Sequence, residues 1–182
     1  MSEQMIVRES IVVCDANIFI DLCTVDLLEA FFSMSWTVHT TDMVLSEINA
    51  PEQKQKIDPF KPQMVVKEFQ PDEIIELLRL QQSTKARLSI QDCSLLYYCS
   101  QNGFTMITGD RCLRSKAEER NIVVRGVLYV FDRLVDASVI SSTIAADRLE
   151  RLNSINQRLP QKEIELRLTE WKKNNKKIRL NG

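Results

Sequence analysis

The sequence predicts an α/β domain with three layers, α/β/α: a central, mainly parallel sheet of about five strands with helices on both faces, followed by a helical C-terminal extension. Three observations predict it. Short apolar, β-branched runs recur at 11–14, 64–69, 104–108 and 122–124. Helical patterns separate them, as parallel strands require crossover connections. From Ser138 onward the strand patterns stop and only helical ones remain.

Taken in order, Ile11-Val-Val-Cys14 is a continuous apolar run that stops at Asp15, the signature of a strand buried on both faces. Residues 26–32 read as a helix. Trp36–Thr40 has strand composition, and Thr41 can cap a helix over 42–48 that Pro51 closes. The polar stretch 52–62, with Pro59 and Pro62, reads as a loop leading to a strand at 64–69. A helix follows Pro71-Asp72, from 73 to about 82, and 83–88 connects it to the next. Ser89-Ile-Gln-Asp92 opens a helix that ends at Gly103, by the capping-box and C-terminal glycine rules. Then come a strand at 104–108, a helix at 111–120, a strand at 122–124, and a helix from Val127 to Val135. Pro160 divides the remaining helical sequence in two.

The 182 residues, 44% of them hydrophobic, suffice for one globular domain, placed at 1–136, with an extension at 137–182. Net charge is −1, but residues 1–136 carry −6 and residues 137–182 carry +5. Contacts with nucleic acid therefore fall to local basic patches. Five cysteines, Cys14, Cys23, Cys93, Cys99 and Cys112, form no C-x-x-C pair, so they read as buried thiols. No apolar run reaches the roughly 20 residues of a membrane helix and residues 1–9 show no export signal, so a cytoplasmic protein with no membrane partner is expected.

Two predicted strands end in acid, at Asp15 and at Asp110. Ligands in open α/β sheets bind outside the carboxyl ends of strands, so both are site candidates, and both equally suit turns or helix caps. Asp92 fits a capping box, and Glu47 lies mid-helix by this reading. Together they gain weight, because Asn17 follows Asp15 by two residues and Thr108 precedes Asp110 by two. Gathered carboxylates repel one another, and a hard divalent cation, Mg²⁺ or Mn²⁺, relieves that repulsion with oxygen ligands. With His39 the single histidine, and placed on a strand as a packed residue, zinc sites and His-based triads have no donor set.

Four segments, Val13-Cys-Asp15-Ala-Asn17-Ile-Phe-Ile-Asp21, Val44-Leu-Ser-Glu47-Ile48, Ser89-Ile-Gln-Asp92 through Tyr98, and Ile107-Thr108-Gly-Asp110-Arg-Cys-Leu113, together resemble the PIN-domain ribonucleases, especially VapC-like toxins of toxin–antitoxin pairs. The match spans about residues 10–135. The resemblance implies endonucleolytic RNA cleavage with Mg²⁺ or Mn²⁺, with Asp15, Glu47, Asp92 and Asp110 as site and metal-holding acids and Asn17 and Thr108 supporting them. It also implies an antitoxin partner and a homodimer. Asp21 is expected on a helix surface, and Lys85, Arg87, Arg111 and Arg114 are candidates for binding RNA phosphates. The long basic extension departs from the compact toxins. Two other functions compete: an aspartyl phosphatase, disfavoured because Asn17 stands where its second acid belongs, and a catalytically silent PIN-fold module that binds protein.

Overall fold

Ile11–Cys14 forms β1, the middle strand of a five-stranded sheet. The others are β2 (Thr37–Thr41), β3 (Met64–Lys67), β4 (Thr105–Ile107) and β5 (Val124–Arg125), in the order β3-β2-β1-β4-β5 with every pair parallel. The computed structural model describes residues 11–84 and 87–180, with side chains as far as Lys173. Lys85 and the tail cations beyond Lys173 lie outside the described side chains.

The helices are α1 (Ala16–Thr24), α2 (Leu28–Phe32), α3 (Asp42–Leu45), α4 (Pro51–Ile57), α5 (Pro71–Ser83), α6 (Ile90–Asn102), α7 (Arg111–Glu118), α8 (Val127–Asp136), α9 (Ser142–Ile155) and α10 (Gln161–Leu180), with a 3₁₀ segment at Asp58–Gln63. Chain contacts group these into two units. The first comprises the described residues through Ile20 together with Ser35–Gly126, and holds the whole sheet. Val12, Val13 and Cys14 are buried there with Val38, Leu95, Leu96, Met106, Ile107 and Leu113, which accounts for the unbroken apolar run of β1. The second comprises Asp21–Met34 and the chain from Val127. Its own buried set is Leu22, Phe31, Phe131, Leu149, Leu152, Ile164 and Trp171, with the Phe131 and Trp171 rings stacked 6.4 Å apart.

Several elements differ from the sequence expectation. The expected loop at 52–62 is α4 plus the 3₁₀ segment: Pro51 stands in the first turn of α4, where its missing N–H costs nothing, and so starts a helix instead of closing one. The helix expected over 42–48 stops at Leu45, leaving Glu47 in the turn beyond it. Helix α1 was not among the expected elements, and the helix expected at 26–32 is reduced to Leu28–Phe32. The last strand shifts from 122–124 to Val124–Arg125. Helix α6 keeps both predicted ends, the Ser89–Asp92 capping box and the left-handed Gly103 at φ 67°. Among the described residues no helix is long and apolar enough to cross a membrane.

Candidate active site

The register of the sheet builds the centre of the site. Cys14 pairs with Ile107, so β1 and β4 end side by side and the residues just past them, Asp15 and Thr108, become neighbours. The Asp15 backbone N–H extends the ladder by donating to the Ile107 carbonyl at 3.0 Å. The Asp15 carboxylate is only 5% exposed, and its Oδ2 accepts the Thr108 hydroxyl at 2.7 Å and the Asn17 side-chain amide. Each of these donors is itself held. Thr108 Oγ accepts the Asp110 backbone N–H at 3.0 Å, and the Asn17 carbonyl oxygen accepts the Gly109 N–H at 3.0 Å. Because a hydroxyl has one proton, accepting from Asp110 while donating to Asp15 fixes its direction. A side chain at Gly109 would bring a Cβ to 3.4 Å from that Asn17 side-chain oxygen, an ordinary van der Waals contact.

Asp110 caps α7 by accepting the Leu113 N–H at 2.7 Å. Asp92 occupies the third position of α6 and accepts both the Ser89 N–H at 2.9 Å and the Ser89 hydroxyl at 2.8 Å. Both acids thus also do the structural work that the sequence allowed for them. The segment before Glu47 is tied to α6 by hydrogen bonds absent from the sequence reading. The buried Thr41 hydroxyl caps α3 at Val44 and meets the Ser94 hydroxyl at 2.8 Å, and Ser94 in turn donates to the Gln91 carbonyl on α6. Ser94 and Ser89 carry no sequence signal beyond a cap.

Electrostatics tie the four acids together. The Asp15 carboxyl is pushed up to about 6, first by burial and then by the charges of Asp92 and Asp110, against the lowering effect of the Thr108 hydroxyl and the Ala16 N–H. Glu47 is raised as well, by partial desolvation and by Asp15 and Asp92. Such mutual repulsion among oxygen donors is the charge pattern that a hard divalent cation relieves. Their spacing is open: among the described residues no three His, Cys, Asp or Glu side chains group closely enough to hold an ion between them. The donor set fits Mg²⁺ in kind, since that ion keeps several waters and commonly takes one or two carboxylates plus substrate phosphate.

The candidate cations divide. Arg87 and Arg111 are exposed, whereas Arg114 is turned onto backbone carbonyls, at 3.3 Å from Thr108 O and 3.5 Å from Val124 O. His39 takes no part in the acid cluster: its Nδ1 lies 2.8 Å from the Tyr98 hydroxyl, its ring packs against Phe104, and burial lowers its pKa. Cys14, Cys23, Cys93 and Cys99 are buried free thiols, and Cys112 is partly exposed. Asp21, expected on a helix surface, is half-buried on α1. Both its oxygens lie 3.2 Å from the Asn156 amide, and burial raises its carboxyl to about 6.

The PIN-domain family model matches residues 11–173, most of the chain. The chain belongs to the PIN-domain family. PIN domains are in general nucleases and typically use divalent metals. The crystal structure of PAE2754 from Pyrobaculum aerophilum aligns with a TM-score of 0.54 at 17% identity, over 69% of this chain and 96% of that one, a likeness of fold. No curated protein matches the chain.

Proposed function

We propose that this PIN domain is a divalent-metal-dependent endoribonuclease, and that it acts as the toxin of a toxin–antitoxin pair, with RNA as substrate and an antitoxin as protein partner. The observation that carries the nuclease reading is the buried Asp15 carboxylate, held by Asn17 and Thr108 where β1 and β4 end side by side, with the charges of Asp92 and Asp110 acting on it. Asp15, Asp92, Asp110 and Glu47 would hold Mg²⁺ or Mn²⁺, which when bound supplies an acidified water and positive charge for the scissile phosphate. Asn17 and Thr108 aim Asp15 by donating to one of its oxygens, and the Thr108 bond favours its ionised form. Exposed Arg87 and Arg111 are placed in sequence beside Asp92 and Asp110 and meet RNA phosphates as positioning contacts.

The open spacing of the acids favours a second reading, a silent PIN-fold module that binds protein. One experiment separates them: cleavage of a mixed RNA pool with Mg²⁺, Mn²⁺ or EDTA by the wild type and by Asp15→Asn and Asp92→Asn. Metal-dependent cleavage lost in both variants supports the nuclease. Full cleavage by a purified Asp15→Asn protein would sink it, and a folded wild type silent under every condition supports the binding module. Growth arrest on expression of the wild type but not of Asp15→Asn tests the toxin role.

A further inference from the structure

Arg114 lies one turn into α7, where the sequence reads it as a cation for RNA. Its guanidinium instead spans the ends of two neighbouring strands. Nη2 donates to the Thr108 carbonyl at 3.3 Å, Nη1 faces the Val124 carbonyl at 3.5 Å, and Glu118, one turn further along α7, lies 3.7 Å from Nη1. A second feature converges on the same place. A Cβ at Gly126 would sit at ordinary contact distance, 3.8 Å, from the Thr108 carbonyl oxygen but only 3.3 Å from Arg114 Nη2, so a side chain there would press the guanidinium a few tenths of an ångström out of its seat.

The Thr108 carbonyl and the Gly109 N–H belong to one planar peptide group. Arg114 holds its oxygen, and the Asn17 side chain accepts from its nitrogen at 3.0 Å. With both edges of that peptide fixed, the flanking residues have little freedom: Thr108 presents its hydroxyl to Asp15, and Asp110 enters α7 with its N–H on Thr108 Oγ. The geometry points to Arg114 as a positioning residue, seated by Gly126, that locks the Thr108–Gly109 peptide and thereby the Asn17 and Thr108 clamp on Asp15, and not as a phosphate-binding cation. Its consequence for catalysis rests on the nuclease reading, while its effect on the peptide does not.

The test compares Arg114→Gln, Arg114→Lys, Gly126→Ala and, as the exposed control, Arg111→Gln in the full chain. Amide hydrogen exchange is followed in metal-free protein, Mn²⁺ affinity by calorimetry, and kcat and KM on RNA. Arg114→Gln is expected to speed exchange at Gly109 and Asp110 by about tenfold, with unfolding still cooperative. Mn²⁺ affinity should fall about 10–100-fold, the usual cost of losing a group that orients a metal ligand. kcat should fall with KM near wild type. Arg114→Lys, which keeps one donor for the Thr108 carbonyl, recovers part of each loss, and Gly126→Ala shows the same pattern more weakly. Arg111→Gln leaves exchange and Mn²⁺ affinity alone. Unchanged exchange at Gly109 and Asp110 in Arg114→Gln, or a raised KM with unaltered Mn²⁺ affinity, overturns the assignment. If Arg114→Gln does not fold, Arg114→Lys and Gly126→Ala carry the same comparison. A wild type that neither binds Mn²⁺ nor cleaves RNA removes the nuclease reading, and the exchange comparison still decides what Arg114 does.

Discussion

Asp15 and Asp21 stand six residues apart, and burial raises both carboxyls to about 6. Their surroundings are opposite. Asp15, in the first unit, is pushed further by the acids Asp92 and Asp110, and only the neutral donors Thr108 and Ala16 moderate it. Asp21, in the second unit, is relieved by the Asn156 amide and by the positive charge of Arg158. A raised carboxyl therefore marks neither as functional by itself. The sign of the neighbouring charge does: a protein tolerates repulsion at one buried acid where a cation or a reaction uses it, and elsewhere supplies a partner.

The largest break in that comparison is expected from Asp15→Asn. Cleavage should fall on the order of 10²–10³-fold, the scale of losing one group aimed at developing charge, while Asp21→Asn leaves kcat within about twofold of wild type on the same scale. Single-turnover cleavage of one RNA under saturating Mn²⁺ checks both. Comparable losses in the two variants would mean that their charge surroundings carry no functional information.

How much of this contrast the sequence displays depends on whether a feature is local. β1, the Ser89 box and the Gly103 cap are legible because each is set by adjacent residues: an unbroken β-branched run, a serine three before an acid, a glycine where φ is positive. Helix α1 is not, since its nine residues are fewer than the window over which a helical period declares itself, and Ile20 adds an apolar residue on the face opposite the buried Ile18, Phe19, Leu22 and Cys23. Helix α4 fails for the reverse reason, being polar except for Ile57. In the site, Asp15 and Asp110 stand out by strand position and Asn17 and Thr108 by their spacing from them, but the Asn156 partner of Asp21 comes from 135 residues away and leaves no local trace. Arg114 carries a charge that reads as a phosphate ligand, and only the fold shows that two carbonyls occupy it.

A second contrast is thermodynamic. An acid whose folded pKa lies above its unfolded value favours folding below the unfolded value and loses that contribution as pH rises through the folded one. Metal-free protein should therefore lose stability between about pH 4 and pH 6, by at most about 3 kcal/mol from Asp15 at ~1.4 kcal/mol per tenfold change in proton affinity. Mn²⁺ reverses this only where Asp15 is ionised. At 100 times its dissociation constant the ion should restore about 2.7 kcal/mol at pH 7 and progressively less as pH falls below 6. Urea melts at pH 4, 5, 6 and 7 with and without Mn²⁺ measure it, and a metal effect independent of pH would break the link to Asp15.

Asn156→Asp turns the second site into an imitation of the first by placing an acid where Asp21 now has an amide donor. The lost hydrogen bonds and the new repulsion should cost about 1–3 kcal/mol at pH 7, most of it regained below pH 5 as the pair takes up a proton. No Mn²⁺ affinity should appear, because Arg158 still neutralises half of the pair. Calorimetry on this variant distinguishes a site made by repulsion alone from one that also needs the surrounding clamp.

The smallest effect sharpens the comparison most. In Asp21→Asn the desolvated charge is gone and an amide can still accept from Asn156, so the only attraction forfeited is the one to Arg158, exposed and screened by water. Removing a raised carboxyl also removes its unfavourable ionisation, so at pH 7 the balance is expected on the stabilising side, below the ~3 kcal/mol bound that the same raised value sets for Asp15, and vanishing below pH 4 where the wild-type acid is neutral in both states. Paired melts at pH 4 and 7 read it directly. A loss of stability at pH 7 would show that Arg158 and Asn156 overcompensate the burial of Asp21, and the two acids would then differ in energy as well as in role.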